Sequence, residues 1–247
     1  MGHLLSLIYY PWGIVLQGLA LLHFIRRRPD GYWLWIILFL GPLGAIVYLI
    51  VEAAPDISLV RSGFKAFPRR QRIREMKVVI SQNPSSGNYE ELADLYFEDK
   101  KYAEARECYN HAITKRSDTL DPFYRRGMCN YELGDYAAAV PDLEYVVGKE
   151  FNYDFYRGAG ALAVCYGRLG QPEKADALFK RVLQVSTATE IEYNYAEFLG
   201  TQGRQTEARA LTDRILAKKA TMRRFQKRLE RPWLRRTAAL RKRLQSA

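Results

Sequence analysis

The stretch from Tyr89 to Ala112, YEELADLYFEDKKYAEARECYNHA, returns further along the chain in altered form, and this recurrence limits the fold more than any other feature. Shifted forward by 34 residues, Ala93 falls on Gly127, Tyr102 on Tyr136, Ala105 on Ala139, Tyr109 on Leu143 and Ala112 on Val146. A third copy starts near Tyr156, with Leu162, Ala163, Tyr166, Gly170, Ala175, Phe179 and Val182 in the corresponding places, after two inserted residues around Glu150 to Tyr153. A fourth, from about Thr189, keeps Ala196, Leu199, Gly203, Ala208 and Ile215 but has Thr212 at the Phe-type position. Small residues at fixed places let two antiparallel helices approach closely, and the large ones fill the seam between them. The glycines of LeuGlyAspTyr at 133–136 and LeuGlyGlnPro at 169–172 supply the left-handed backbone that ends a helix, whereas the first copy has AspLysLysTyr at 99–102 and lacks its glycine. One such pair cannot bury its own apolar face, so the units must stack into an all-α solenoid.

The pattern resembles the tetratricopeptide repeat over roughly Ser86 to Met222, in units 86–119, 120–155, 156–188 and 189–216. That resemblance implies a concave groove lined by the first helix of each pair, through positions two, five, nine, twelve and thirteen. On this chain these include Glu90, Asp94, Phe97 and Glu98 in the first copy, and Tyr124, Met128, Tyr131 and Glu132 in the second. They include Arg157, Val164 and Arg168 in the third, and Tyr193 and Glu197 in the fourth. Aromatics and Met at solvent-facing positions suit a peptide or helix, although Phe97 and Tyr131 have a second reading as packing between repeats. The clamp for chaperone tails wants Lys and Asn where Glu90 and Asp94 stand, so the acidic groove entrance fits a protein partner with basic and apolar residues.

The formal charge of +11 is confined to the end of the chain. From Lys218 onward there are twelve Lys or Arg against one acid, Glu230, while upstream 26 bases balance 26 acids. The stripes Met222, Phe225, Leu229 and Trp233, Thr237, Leu240, Leu244 predict two amphipathic helices separated by Pro232. Their basic faces carry Arg223, Arg224, Lys227, Arg228, Arg235, Arg236, Arg241, Lys242 and Arg243. Three readings compete: a cap on the solenoid, assigned to the stripe before Pro232; a helix on anionic lipid headgroups, assigned to Trp233 and its basic neighbours; and, third, nucleic acid, for which no reading motif accompanies the charge.

The first fifty residues are a different material from the rest, a split that a mean hydropathy of -0.29 conceals. Leu4 to Ile25 and Tyr32 to Val51 contain no charge, and at about 1.5 Å per residue each is long enough for a hydrocarbon core of about 30 Å. The expectation is a two-helix transmembrane hairpin within 1–52. A linker and half-repeat at 53–85 follow, with Ile73, Met76, Val79 and Ile80 at helical spacing, then the repeats at 86–216 and the basic tail at 217–247. Trp33 or Trp35 with Gly41, Pro42, Gly44 and Tyr48 resembles the N-terminal segment of bacterial cardiolipin synthases, whose HxKxxxxD catalytic motif is missing here. Positive charge on both flanks divides the orientation: Arg26, Arg27 and Arg28 against Arg61, Lys65, Arg69, Arg70 and Arg72. Three unpaired cysteines, Cys108, Cys129 and Cys165, together with the basic tail, tip the repeats to the cytoplasmic side of a bacterial inner membrane, with the periplasm as the alternative.

No catalytic constellation, metal-ligand spacing or phosphate loop is present, so neither enzyme activity nor a cofactor is expected. The sequence therefore reads as a membrane-anchored scaffold for protein–protein interaction. One alternative is a non-catalytic accessory subunit of a lipid or envelope biosynthesis enzyme; another is nucleic-acid tethering through the tail.

Overall fold

The computed structural model describes residues 12–27, 31–49, 58–113 and 119–246, and among these the regular elements are helices without strands. The chain divides into a unit of residues 1–72 and a unit of residues 73–247.

In the first unit, α1 (Trp12–Arg27), α2 (Tyr32–Phe39) and α3 (Gly41–Tyr48) pack around Ala20, Trp33, Ile37, Ala45 and Tyr48. Gly41 takes a left-handed φ of 56° and Pro42 follows it, which divides the second apolar run into two helices of 8 residues. Polar groups hold the packing: Gln17 Nε2 donates to the Ile37 carbonyl at 3.0 Å, and His23 Nδ1 lies 2.8 Å from the Tyr48 hydroxyl. Among the described residues no helix is long and apolar enough to cross a membrane. This overturns the expectation of an integral membrane protein with spans at 4–25 and 32–51, and the choice of side for the repeats falls with it. The physical reason is the break at Gly41, which leaves two helices of 8 residues, each about 12 Å long at about 1.5 Å per residue. Residues 4–11 and 50–51 of those spans, and Arg28 of the loop between them, lie outside the described residues.

Helix α4 (Ser58–Gln82) crosses the boundary between the units. Its Ile73 and Met76 join Leu92, Ala93, Tyr96, Ala105 and Tyr109 in one apolar cluster, with Ile80 against it, whereas Val79 is turned outward. Four helix pairs follow: α5 (Ser86–Glu98) with α6 (Tyr102–Ala112), α7 (Asp121–Glu132) with α8 (Tyr136–Lys149), α9 (Arg157–Arg168) with α10 (Pro172–Leu183), and α11 (Thr189–Thr201) with α12 (Gln205–Thr221). The recurring small residues Ala93, Ala105, Ala139, Ala163, Ala175, Ala196 and Ala208 are fully buried, as are Tyr109, Leu143, Phe179 and Thr212 at the place of the large residue. Gly134, Gly170 and Gly203 end the first helices of pairs two to four with φ of 78°, 71° and 74°, and in the first pair Lys100 adopts the same conformation at 58°.

Between α8 and α9 the chain makes a tight turn, Tyr153–Tyr156, in which Asp154, Phe155 and Tyr156 all have positive φ. After α12 come a short helix, α13 (Arg224–Leu229), and α14 (Arg231–Ser246). Leu234, Thr237, Leu240 and Leu244 of α14 are buried on α11 and α12, and Arg209 Nε donates to the Leu244 carbonyl at 2.9 Å. The stripe after Pro232 packs as a whole, while of the one before it Met222 is partly buried against the last pairs and Phe225 and Leu229 are exposed.

Candidate partner-binding groove

The first helices of the pairs, α5, α7, α9 and α11, stand side by side. Between α5, α7 and the start of α9 lies a hollow of about 530 Å³ lined by Phe97, Tyr102, Asp121, Tyr124, Arg125, Met128, Glu132, Tyr153, Asp154 and Arg157. Tyr124 and Met128 form a nearly buried apolar floor at 7% and 6% exposure. Arg125 lies over the Phe97 ring, 5.6 Å from its centroid, and Tyr153 stands edge-on to Tyr124 at 5.0 Å.

Most charges in the hollow are tied to one another. Arg125 Nε donates to Asp121 Oδ2 at 2.6 Å and lies 3.6 Å from Asp94 Oδ1, which accepts from the Tyr109 hydroxyl at 2.5 Å. The Tyr124 hydroxyl donates to Asp154, and Arg157 spans Asp154 at 3.5 Å and Glu190 at 3.4 Å. Acids outnumber bases nonetheless. Burial, and then the neighbouring Asp94 and Asp121, raise the pKa of Glu90; burial raises that of Glu190 against the pull of Arg157. Glu132 is exposed on the lining and has no ion-pair partner among the described residues. The hollow is therefore an apolar floor under an excess of negative charge.

Of the positions that the repeat register assigns to the groove, Phe97, Tyr124, Met128, Glu132 and Arg157 meet in this hollow. Arg168 and Glu197, 3.7 Å apart, line a second one of about 290 Å³ between α9 and α11. Tyr131 is half-buried and stands edge-on to Tyr136 of its own pair at 6.1 Å. Tyr193 turns toward α14, its ring 5.6 Å from Trp233 and its hydroxyl donating to Glu197 at 3.3 Å. Glu90, Asp94 and Glu98 lie on α5 beside the first hollow without lining it.

Sequence reasoning missed five contributors, one of them Tyr102, which it read only as a repeat position. Asp121 and Arg125 are an i, i+4 acid–base pair at the start of α7, a signal that was available. Tyr153 and Asp154 belong to the insertion, where the repeat pattern offers no guide. Two basic residues of α14 engage the array, Arg241 pairing with Asp213 and Arg243 Nη2 lying 3.8 Å from Glu197, while Arg236 lies 4.7 Å over Trp233 of its own helix. Cys129 and Cys165 are fully buried, and burial pushes both thiols up to about 12.

Tetratricopeptide-repeat family models match residues 90–155 and 161–185. These matches give no support to the cardiolipin-synthase-like reading of the N-terminal segment. No curated protein matches the chain in sequence. Among solved structures, YrrB, described as a TPR protein with an unusual peptide-binding site, aligns at a TM-score of 0.55 and 17% identity, covering 67% of this chain and 86% of that one. MamA aligns at 0.56 and 16%, covering 65% and 94%; Pseudomonas aeruginosa pilF aligns at 0.51 and 19%, covering 74% and 85%. At such identities the likeness is one of fold. The chain carries tetratricopeptide repeats in an all-helical, solenoid-like array.

Proposed function

We propose that the chain is an interaction scaffold of the tetratricopeptide type whose hollow between α5, α7 and α9 receives a protein segment rich in basic and apolar residues. The observation that carries this reading is the combination of an apolar floor, Tyr124 and Met128, with the exposed carboxylate of Glu132 on the lining. Apolar side chains in such a place contribute affinity by leaving water, and the surplus of acids selects the sign of the ligand. The peptide-binding description of YrrB, a structural relative, is consistent with it.

The test is titration calorimetry of the full chain against a short Phe/Leu/Lys/Arg peptide and its Glu-substituted counterpart. The basic peptide is expected to bind at least about tenfold more tightly, and Glu132→Lys to remove that preference. Equal binding of the two peptides would sink the assignment.

A further inference from the structure

The basic tail contains a segment with the chemistry that the hollow selects. Helix α13 buries none of its side chains and leaves Phe225 70% and Leu229 61% exposed. Arg223, Arg224, Lys227 and Arg228 flank these two apolar groups. The opposite surface, the hollow with Glu132 on its lining, lies on the same molecule but at the other end of the array.

The segment cannot reach the hollow of its own copy. It is pinned before Met222 by Lys218, whose Nζ lies 2.7 Å from the buried Glu192, and after Glu230 by the buried Leu234. With α12 helical to Thr221 and α14 from Arg231, the nine residues between them, looping out and returning, extend about 15 Å at most. The hollow is farther away: α14 rests on α11, α11 on α9 and α9 on α7, and at about 8–10 Å per helix spacing the separation is roughly 25 Å.

We infer that residues 223–230 of one copy dock in the hollow of a second copy, so that the chain associates head to tail. This rests on the groove reading above and names its occupant. Phe225 and Leu229 meet the floor of Tyr124 and Met128, and the flanking cations meet Glu132 and the carboxylate-rich rim. Because the two surfaces differ, the contact is heterologous and each copy retains one free hollow and one free tail, giving rings or open chains.

Sedimentation of the full chain tests this. The wild-type chain is expected to have a weight-average mass above the 28.6 kDa monomer, rising with concentration and falling as salt screens the charges. Phe225→Ala/Leu229→Ala alters only exposed side chains, and Glu132→Lys alters an exposed one. Each variant alone is expected to associate at least about tenfold more weakly. An equimolar mixture is expected to form dimers and nothing larger, since one variant supplies an intact hollow and the other an intact tail. A monomeric wild-type chain, or variants that associate as it does, would overturn the inference. If the chain is monomeric and the basic–apolar peptide still binds in a Glu132-dependent way, the groove reading stands and only this occupant is wrong. If the peptide also fails to bind, both readings fall.

Discussion

The hydroxyl of Tyr153 donates to Asp121 Oδ1 at 2.9 Å, joining the inserted turn to the first turn of α7 across 32 residues of chain. The same carboxylate accepts from Arg125, and the next residue of the turn, Asp154, accepts from Tyr124. These bonds hold a turn in which three successive residues other than glycine have left-handed backbone, an arrangement that costs about 1–2 kcal/mol per residue and needs an external hold. Tyr153→Phe removes one such hold and is expected to lower stability by about 1 kcal/mol, read from urea unfolding followed by helicity. An unchanged midpoint would mean that the turn is fixed by other contacts.

Lys100 occupies the helix-ending position that glycine fills in the other three pairs, with φ of 58°. Lys100→Gly relieves the left-handed strain of a side chain, offset in part by the greater freedom of glycine in the unfolded chain. The expected net gain is about 0.5–1 kcal/mol, seen as a higher melting temperature. A loss would show that the Lys100 side chain contributes contacts that outweigh its backbone strain.

Asp176 of α10 links three elements. It accepts from the Tyr195 hydroxyl of α11 at 2.8 Å and from Arg204, and lies 2.6 Å from Lys180 Nζ. Burial works to raise its pKa, but the bonds from Lys180, Tyr195 and Arg204 prevail and hold it below the ordinary 3.8. An acid whose folded pKa is depressed stabilises the fold fully above its unfolded value and loses that contribution as pH falls through the folded one. Asp176→Asn is therefore expected to lower the melting temperature at neutral pH, with the gap from wild type closing below about pH 3.8 as the native carboxyl takes up its proton. Parallel wild-type and variant curves down to pH 2 would contradict this.

Leu240 of α14 is 3% exposed against the last helix pair. Leu240→Ala is expected to cost about 2–4 kcal/mol in chemical unfolding, whereas Leu229→Ala on the exposed α13 should cost less than about 0.5 kcal/mol. Equal costs would place the cap on the wrong helix.

The core of the array was legible because close helix contact admits few residue types: the repeating alanines can be read directly, and so can the glycine turns, whereas the left-handed Lys100 of the first pair is seen only in the structure. Thr212, which breaks the aromatic pattern, is buried all the same, with its hydroxyl bonded to the Arg209 carbonyl at 2.8 Å. The second N-terminal run misled because Gly41, Pro42 and Gly44 read as a kink within one span, whereas Gly41 and Pro42 divide the run into two separate helices. Within α4, spacing alone did not separate Ile80, which packs, from Val79, which does not. In the groove, register named Tyr124 and Met128 as outward-facing, yet both are nearly buried in a hollow whose wall includes Tyr153 and Asp154, residues outside the repeat pattern. The tail showed two equivalent stripes, and only the surface offered by α11 and α12 decides which of them packs.

Helix α14 has a further consequence. By lying across α11 and α12 it takes the site on which another helix pair would stack. The array is closed at that end, so copies cannot lengthen one another into a continuous superhelix by repeat-to-repeat addition there. Any assembly built on that end must use the flanks or the tail.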